Sequence, residues 1–157
     1  MSLKNIQHGV YGGLAGGLVF GIMMGMMGML PMIGKMVGMP NAFAGFVAHM
    51  GISAVIGAGF AVAFERYVQG VWSGLTSGLL YGGIWWFLGP LTLMPLFMGM
   101  GLGSNWNLMA ATMMLPSLFG HLLFGVILGA TYGWFQSCAC ERGTVEAPDT
   151  DLSTVRR

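Results

Sequence analysis

A chain of 157 residues that is 55% hydrophobic, only 7% charged and close to neutral at net +1 is not composed like a soluble enzyme, in which about a quarter of residues are charged. Residues 1–140 contain only Lys4, Lys35, Glu65 and Arg66, and the 74 residues from Tyr67 to Cys140 carry no Asp, Glu, Lys or Arg. Apolar stretches well beyond about 18 residues mark membrane spans, and the absence of a basic cluster before the tail argues against nucleic acid as a partner.

Four spans follow in chain order. The first runs from about Ile6 to Leu30, ahead of Pro31 and Lys35, and is too long and glycine-rich for a cleaved signal peptide. The second covers roughly Ala42 to Phe64, between Pro40-Asn41 and Glu65-Arg66; the third runs from near Gly70 to about Leu88, before Gly89-Pro90; the fourth runs from about Leu108 to Gln136. Each approaches or exceeds the length that crosses a hydrocarbon core, and helices are the only single-chain solution that satisfies backbone hydrogen bonds in lipid with so few spans. Pro31 and Pro95 are expected to end helices, and Pro116, inside the fourth, to kink it. Lys4, Arg66, Arg142, Arg156 and Arg157 fall on one side of a four-span topology and only Lys35 on the other, which makes both termini cytoplasmic. Residues 1–140 thus form a transmembrane domain, and 141–157 a polar tail expected to be disordered.

The chain also repeats itself. Gly9-Val10-Tyr11-Gly12-Gly13-Leu14 through Phe20-Gly21 lines up with Gly70-Val71-Trp72-Ser73-Gly74-Leu75 through Tyr81-Gly82 at an offset of 61, and His49, Gly57 and Ala58 meet His121, Gly129 and Ala130 at an offset of 72. The extra residues fall around Leu91 to Asn107. Repeat one, about 6–66, and repeat two, about 67–136, each read as a helical hairpin. The expected fold is an all-α, four-helix transmembrane bundle of two parallel repeats about an axis along the membrane normal, unlike inverted-repeat transporters.

Small residues recur every fourth position in every span: Gly9, Gly13, Gly17, Gly21 and Gly25 in the first, Gly70, Gly74, Gly78 and Gly82 in the third, Gly45, His49, Ser53 and Gly57 in the second, and Ser117, His121, Gly125, Gly129 and Gly133 in the fourth. Such stripes let two helix backbones approach closely. His49 and His121 lie on them at matched depth, and an ionisable group inside the membrane is a functional candidate. Three readings stand side by side. The imidazoles are structural hydrogen-bonding groups between helices, or they ligate a b-type haem from opposite faces, or they bind copper with help from Met23, Met26, Met27 and Met113, drawn from 16 methionines concentrated toward one end. Methionine also serves as an adaptable filler for the gaps that glycine-rich helices leave. His8 reads as a solvated residue at the membrane edge, and Cys138 and Cys140 as free thiols at the cytoplasmic end. No Asp or Glu lies within a span, and no nucleotide loop, zinc-protease motif or nucleophile elbow is present.

The segments AHMGISAVIGAGFA and GHLLFGVILGATYG resemble those of a family of small uncharacterised four-span prokaryotic membrane proteins, sometimes labelled sodium:proline symporter-like. The resemblance covers roughly residues 6–136. It implies a prokaryotic inner (plasma) membrane and a four-helix topology, and no activity; four helices without an intramembrane acid do not support the symporter label. The expected function is therefore non-enzymatic: a packing or accessory subunit in the lipid bilayer, in a homo-oligomer or larger membrane complex. The alternatives are a haem- or copper-binding protein and a small oligomeric pore or transporter.

Overall fold

A computed structural model describes residues 2–145, with side chains through residue 138. The described residues form helices α1 (Leu3–Met26), α2 (Leu30–Met36), α3 (Ala42–Phe64), α4 (Val71–Leu88), α5 (Met94–Phe97), α6 (Leu108–Met113) and α7 (Leu115–Val145), and no strand. Four helical stretches, Leu3–Met26, Ala42–Phe64, Val71–Phe97 and Leu115–Cys138, are long and apolar enough to cross a membrane.

Local sequence sets where they begin and end. Ser2, Asn41 and Asn107 stand at the N-termini of α1, α3 and α6, where their side-chain oxygens accept from the backbone N–H groups of Lys4, Ala44 and Ala110 and so satisfy donors that the helix cannot. Gly28, at φ 70°, turns the chain out of α1, a left-handed conformation that a side chain would penalise. Pro31 and Pro95 do not end helices: Pro31 lies in the first turn of the short α2, where a missing N–H costs nothing, and Pro95 lies inside the continuous helical stretch Val71–Phe97, at the start of α5.

The third span does not stop at Gly89-Pro90. It passes through a π-helical turn, Gly89–Leu93, into α5. Widening the helix there lets the chain carry a proline without the clash that an α-helical turn imposes, and the Thr92 hydroxyl donates to the Phe87 carbonyl at 2.8 Å. Nor is the fourth span one helix from Leu108. The chain breaks at Met114, so Pro116 sits in the opening turn of α7 and not within a continuous helix. The tail expected to be irregular from Glu141 is helical through Val145; the rest of it lies outside the described residues.

α1 packs against α3 and α4 against α7, while α1 also packs closely on α7. Glycine decides these contacts. Along α1 and α3, a Cβ at Gly9 would strike the Gly57 carbonyl and one at Gly13 the Ser53 carbonyl; along α4 and α7, Gly74 faces the Gly129 carbonyl, Gly78 that of Gly125, and Gly133 that of Gly70. Gly25 does not join its stripe: it is exposed, and a Cβ there would meet only Leu30. The neighbouring glycines of the Gly12-Gly13 and Gly16-Gly17 doublets open a second face on α1. Gly12 lies under the Leu128 carbonyl and Gly16 under that of Phe124, which admits α7. The aligned positions in α4 are Ser73 and Ser77, and the corresponding approach of α3 to α4 is not made. Aromatic rings span that gap: Tyr81 contacts Phe60 at 5.3 Å and Phe64 at 5.7 Å between centroids, and donates its hydroxyl to the Ile56 carbonyl.

The two close pairs are not in the same register. Gly9 and Gly57 face each other's carbonyls, and their sequence-aligned counterparts are Gly70 and Gly129; yet Gly129 meets Gly74. α4 and α7 have therefore slid by one helical turn, about 5.4 Å, relative to α1 and α3.

Candidate functional site

The residues that the sequence singles out for chemistry are His49 and His121, and that one-turn slide sets their different surroundings. His49, 8% exposed on α3, donates Nε2–H to the Gly17 carbonyl of α1 at 3.0 Å. The counterpart of Gly17 is Gly78, but the His121 backbone faces Gly82, one turn further along α4. His121 instead donates Nδ1–H to the Ser117 carbonyl of its own helix at 2.8 Å, with the Ser117 hydroxyl 3.3 Å from the same nitrogen. Its Nε2 lies beside Gly89, at the start of the π-helical turn. The two bonds require opposite tautomers, Nε2–H on His49 and Nδ1–H on His121. Each ring thus spends its one N–H on a backbone carbonyl.

Phe20 of α1 is the residue that brings them together. Its ring makes edge contacts with both imidazoles, at 5.4 Å to His49 and 4.8 Å to His121 between centroids, and it is 7% exposed. Gly120, whose Cβ would collide with the Phe20 ring and with Met23, makes the room for it. Sequence reasoning missed Phe20, although it aligns with Tyr81 at an offset of 61, and Tyr81 bridges the gap between α3 and α4.

This packing bears on the ligand readings. A haem held by both imidazoles would need the space that the Phe20 ring fills. The residues present do not fit a macrocycle ligated on both faces. Of the proposed copper-assisting methionines, Met23 is half-buried near Phe20, whereas Met26, Met27 and Met113 are 86%, 48% and 73% exposed and do not converge on the histidines. Among the described residues no group of three or more His, Cys, Asp or Glu side chains could hold a metal ion.

Other polar groups in the spans are engaged in the same manner as the histidines. The Trp86 indole N–H donates to the Met114 carbonyl at 3.0 Å, and that of Trp106 to the Thr92 hydroxyl at 3.1 Å. At the opposite end Asn5 donates to the Glu65 carboxylate at 2.6 Å, tying the start of α1 to the end of α3. His8 is not solvated as its position suggests: it is half-buried and stacked on Phe135 at 4.5 Å. Cys138 is half-buried, and the side chain of Cys140 lies outside the described residues. The chain matches no family model, no curated protein and no solved structure.

Proposed function

We propose that this chain is a non-enzymatic integral membrane protein that works through helix packing, as an accessory subunit of a homo-oligomer or larger membrane complex. The observation that supports it most is where the intramembrane donors go. His49, His121, Tyr81 and Trp86 each donate to a backbone carbonyl of the same chain. They act as interhelical and intrahelical ties, and hydrogen bonds of this kind between membrane helices are worth about 0.6 kcal/mol on average and up to about 1.7. The glycine stripes are consumed within the chain too, so a partner would meet the outer faces, where side chains such as Val55 and Phe119 stand exposed.

In this reading the α1–α3 and α4–α7 pairs are two parallel hairpin repeats with pseudo-two-fold symmetry, relaxed by one turn of register. Both termini are cytoplasmic, on the side of Lys4 and Arg66; the resemblance to small four-span membrane proteins adds a prokaryotic inner membrane. Cross-linking in native membranes followed by native mass spectrometry tests the proposal, with an assembly larger than the monomer expected. A stable monomer that turned over a substrate alone would overturn it. So would a Soret band, or stoichiometric copper, lost on His49→Ala and His121→Ala.

A further inference from the structure

The connection between the third and fourth spans is built differently from that between the first and second. α2 buries Leu30 and Gly34 against α3 at Gly45. α6 buries nothing: it has no buried residue, and Leu108, Met109 and Met113 are 81%, 74% and 73% exposed. A helix of six residues does not hold itself together in water. This one offers water almost nothing, since its single hydroxyl, Thr92 being elsewhere, is that of Thr112, which donates to the Met109 carbonyl, and no charge lies anywhere between Tyr67 and Cys140.

Nor does the bilayer need α6 as part of a span. Leu115–Cys138 alone is 24 residues, about 36 Å at about 1.5 Å per residue against a hydrocarbon core of about 30 Å. The chain breaks at Met114, and the Trp86 indole bonds the carbonyl at that break. Beyond it, Leu115 and Phe119 in the opening turns of α7 are exposed as well, at 51% and 64%. On the other side the chain enters α6 through Trp106, whose ring is 54% exposed while its indole N–H is held by Thr92, and Asn107, which caps the helix; a half-exposed tryptophan suits the membrane–water interface.

We infer that α6 lies along the membrane plane at the boundary between headgroups and acyl chains in the leaflet opposite Lys4 and Arg66, as an in-plane anchor found in the second connection and not the first. The inference rests on membrane embedding and is independent of the accessory role proposed above.

Spin labelling tests it. The full chain carrying Cys138→Ser and Cys140→Ser is given a nitroxide at Met109→Cys, or separately at Met113→Cys, and reconstituted in phosphatidylcholine–phosphatidylglycerol vesicles. A label at Val55→Cys, mid-span on α3 and 73% exposed, gives the lipid reference; one at Lys4→Cys gives the aqueous reference. Labels on α6 should be relaxed by oxygen and shielded from a water-soluble nickel chelate, with an oxygen-to-nickel ratio several-fold above that at Lys4 and below that at mid-span Val55. A nickel accessibility equal to that at Lys4 would place α6 in water and overturn the inference. Shielding from both reagents would overturn it in favour of a protein cover, such as a second copy. If the Val55 label itself behaved as aqueous, membrane embedding would have failed, and not the placement of α6 alone. Using two separate α6 sites keeps the test decisive where one variant does not fold.

Discussion

Gly129→Ala is the most direct probe of the α4–α7 contact, and Gly51→Ala is its control. Both replace a glycine inside a long helix by alanine, and on propensity alone each should stabilise its helix by about 1 kcal/mol. The surroundings separate them. A Cβ at Gly51 meets nothing within 4 Å, whereas one at Gly129 would run into the backbone carbonyl of Gly74 and sit 3.0 Å from the Gly78 Cα. No side chain there can rotate aside, so the two helix backbones must separate, and contacts at Gly78 and Gly125 loosen with them. Overpacking of a well-packed interior costs about 1–3 kcal/mol. Because the propensity gain is common to both variants, the difference between them isolates the packing cost: Gly129→Ala should be less stable than Gly51→Ala by about 1–3 kcal/mol. The assay is reversible unfolding in mixed micelles of increasing SDS fraction, followed by tryptophan fluorescence, which Trp85, Trp86 and Trp134 report from α4 and α7. Equal unfolding free energies for the two variants, within about 0.5 kcal/mol, would refute the claim that backbone contact holds α4 on α7.

The same unfolding assay checks three further expectations. Phe20→Ala should cost about 3–5 kcal/mol because it empties a buried site against both imidazoles, whereas Phe119→Ala, 64% exposed, should change stability by less than about 0.5 kcal/mol in a lipid-like micelle. Tyr81→Phe keeps the ring among Phe60 and Phe64 but removes the hydroxyl from the Ile56 carbonyl; a loss of about 1 kcal/mol is expected. His49→Phe should cost more than His121→Phe, by up to about 1.7 kcal/mol, because only His49 ties two helices together. The reverse order would contradict the assignment of the histidine hydrogen bonds.

Much of the architecture is legible in the sequence. Charge scarcity and glycine periodicity mark the helices and the faces on which they pack, because both consequences are local to one helix at a time. The Gly12-Gly13 and Gly16-Gly17 doublets even hold the reason α1 touches two neighbours, since adjacent residues on a helix point about 100° apart. What the pattern did not carry is what depends on pairs. A stripe of period four fits its partner equally well after a slide of one turn, so the separate bonding of His49 and His121 was hidden in the choice between Gly78 and Gly82 as the neighbour of His121. Proline gave the opposite difficulty. Pro90, Pro95 and Pro116 read as stops or kinks, but a π-helical turn carried the chain past Pro90 and on through Pro95, and Pro116 opened α7 after the break at Met114. Phe20 was missed because an aromatic among glycines signals nothing until the two helices on either side of α1 are known.

The identical teeth of these glycine zippers leave each hairpin with more than one way to mesh. A slip of four residues sets glycine on glycine again, and backbone fit alone cannot tell one engagement from the next. In the first hairpin the His49–Gly17 hydrogen bond crosses the seam at a single tooth and acts as a locating pin. The second hairpin has no such pin between α4 and α7 through its histidine, and its seam has come to rest one tooth along. Two helix pairs striped in this way can settle a whole turn apart in register while their glycines keep close contact, and a hydrogen bond across one seam favours one engagement over the next.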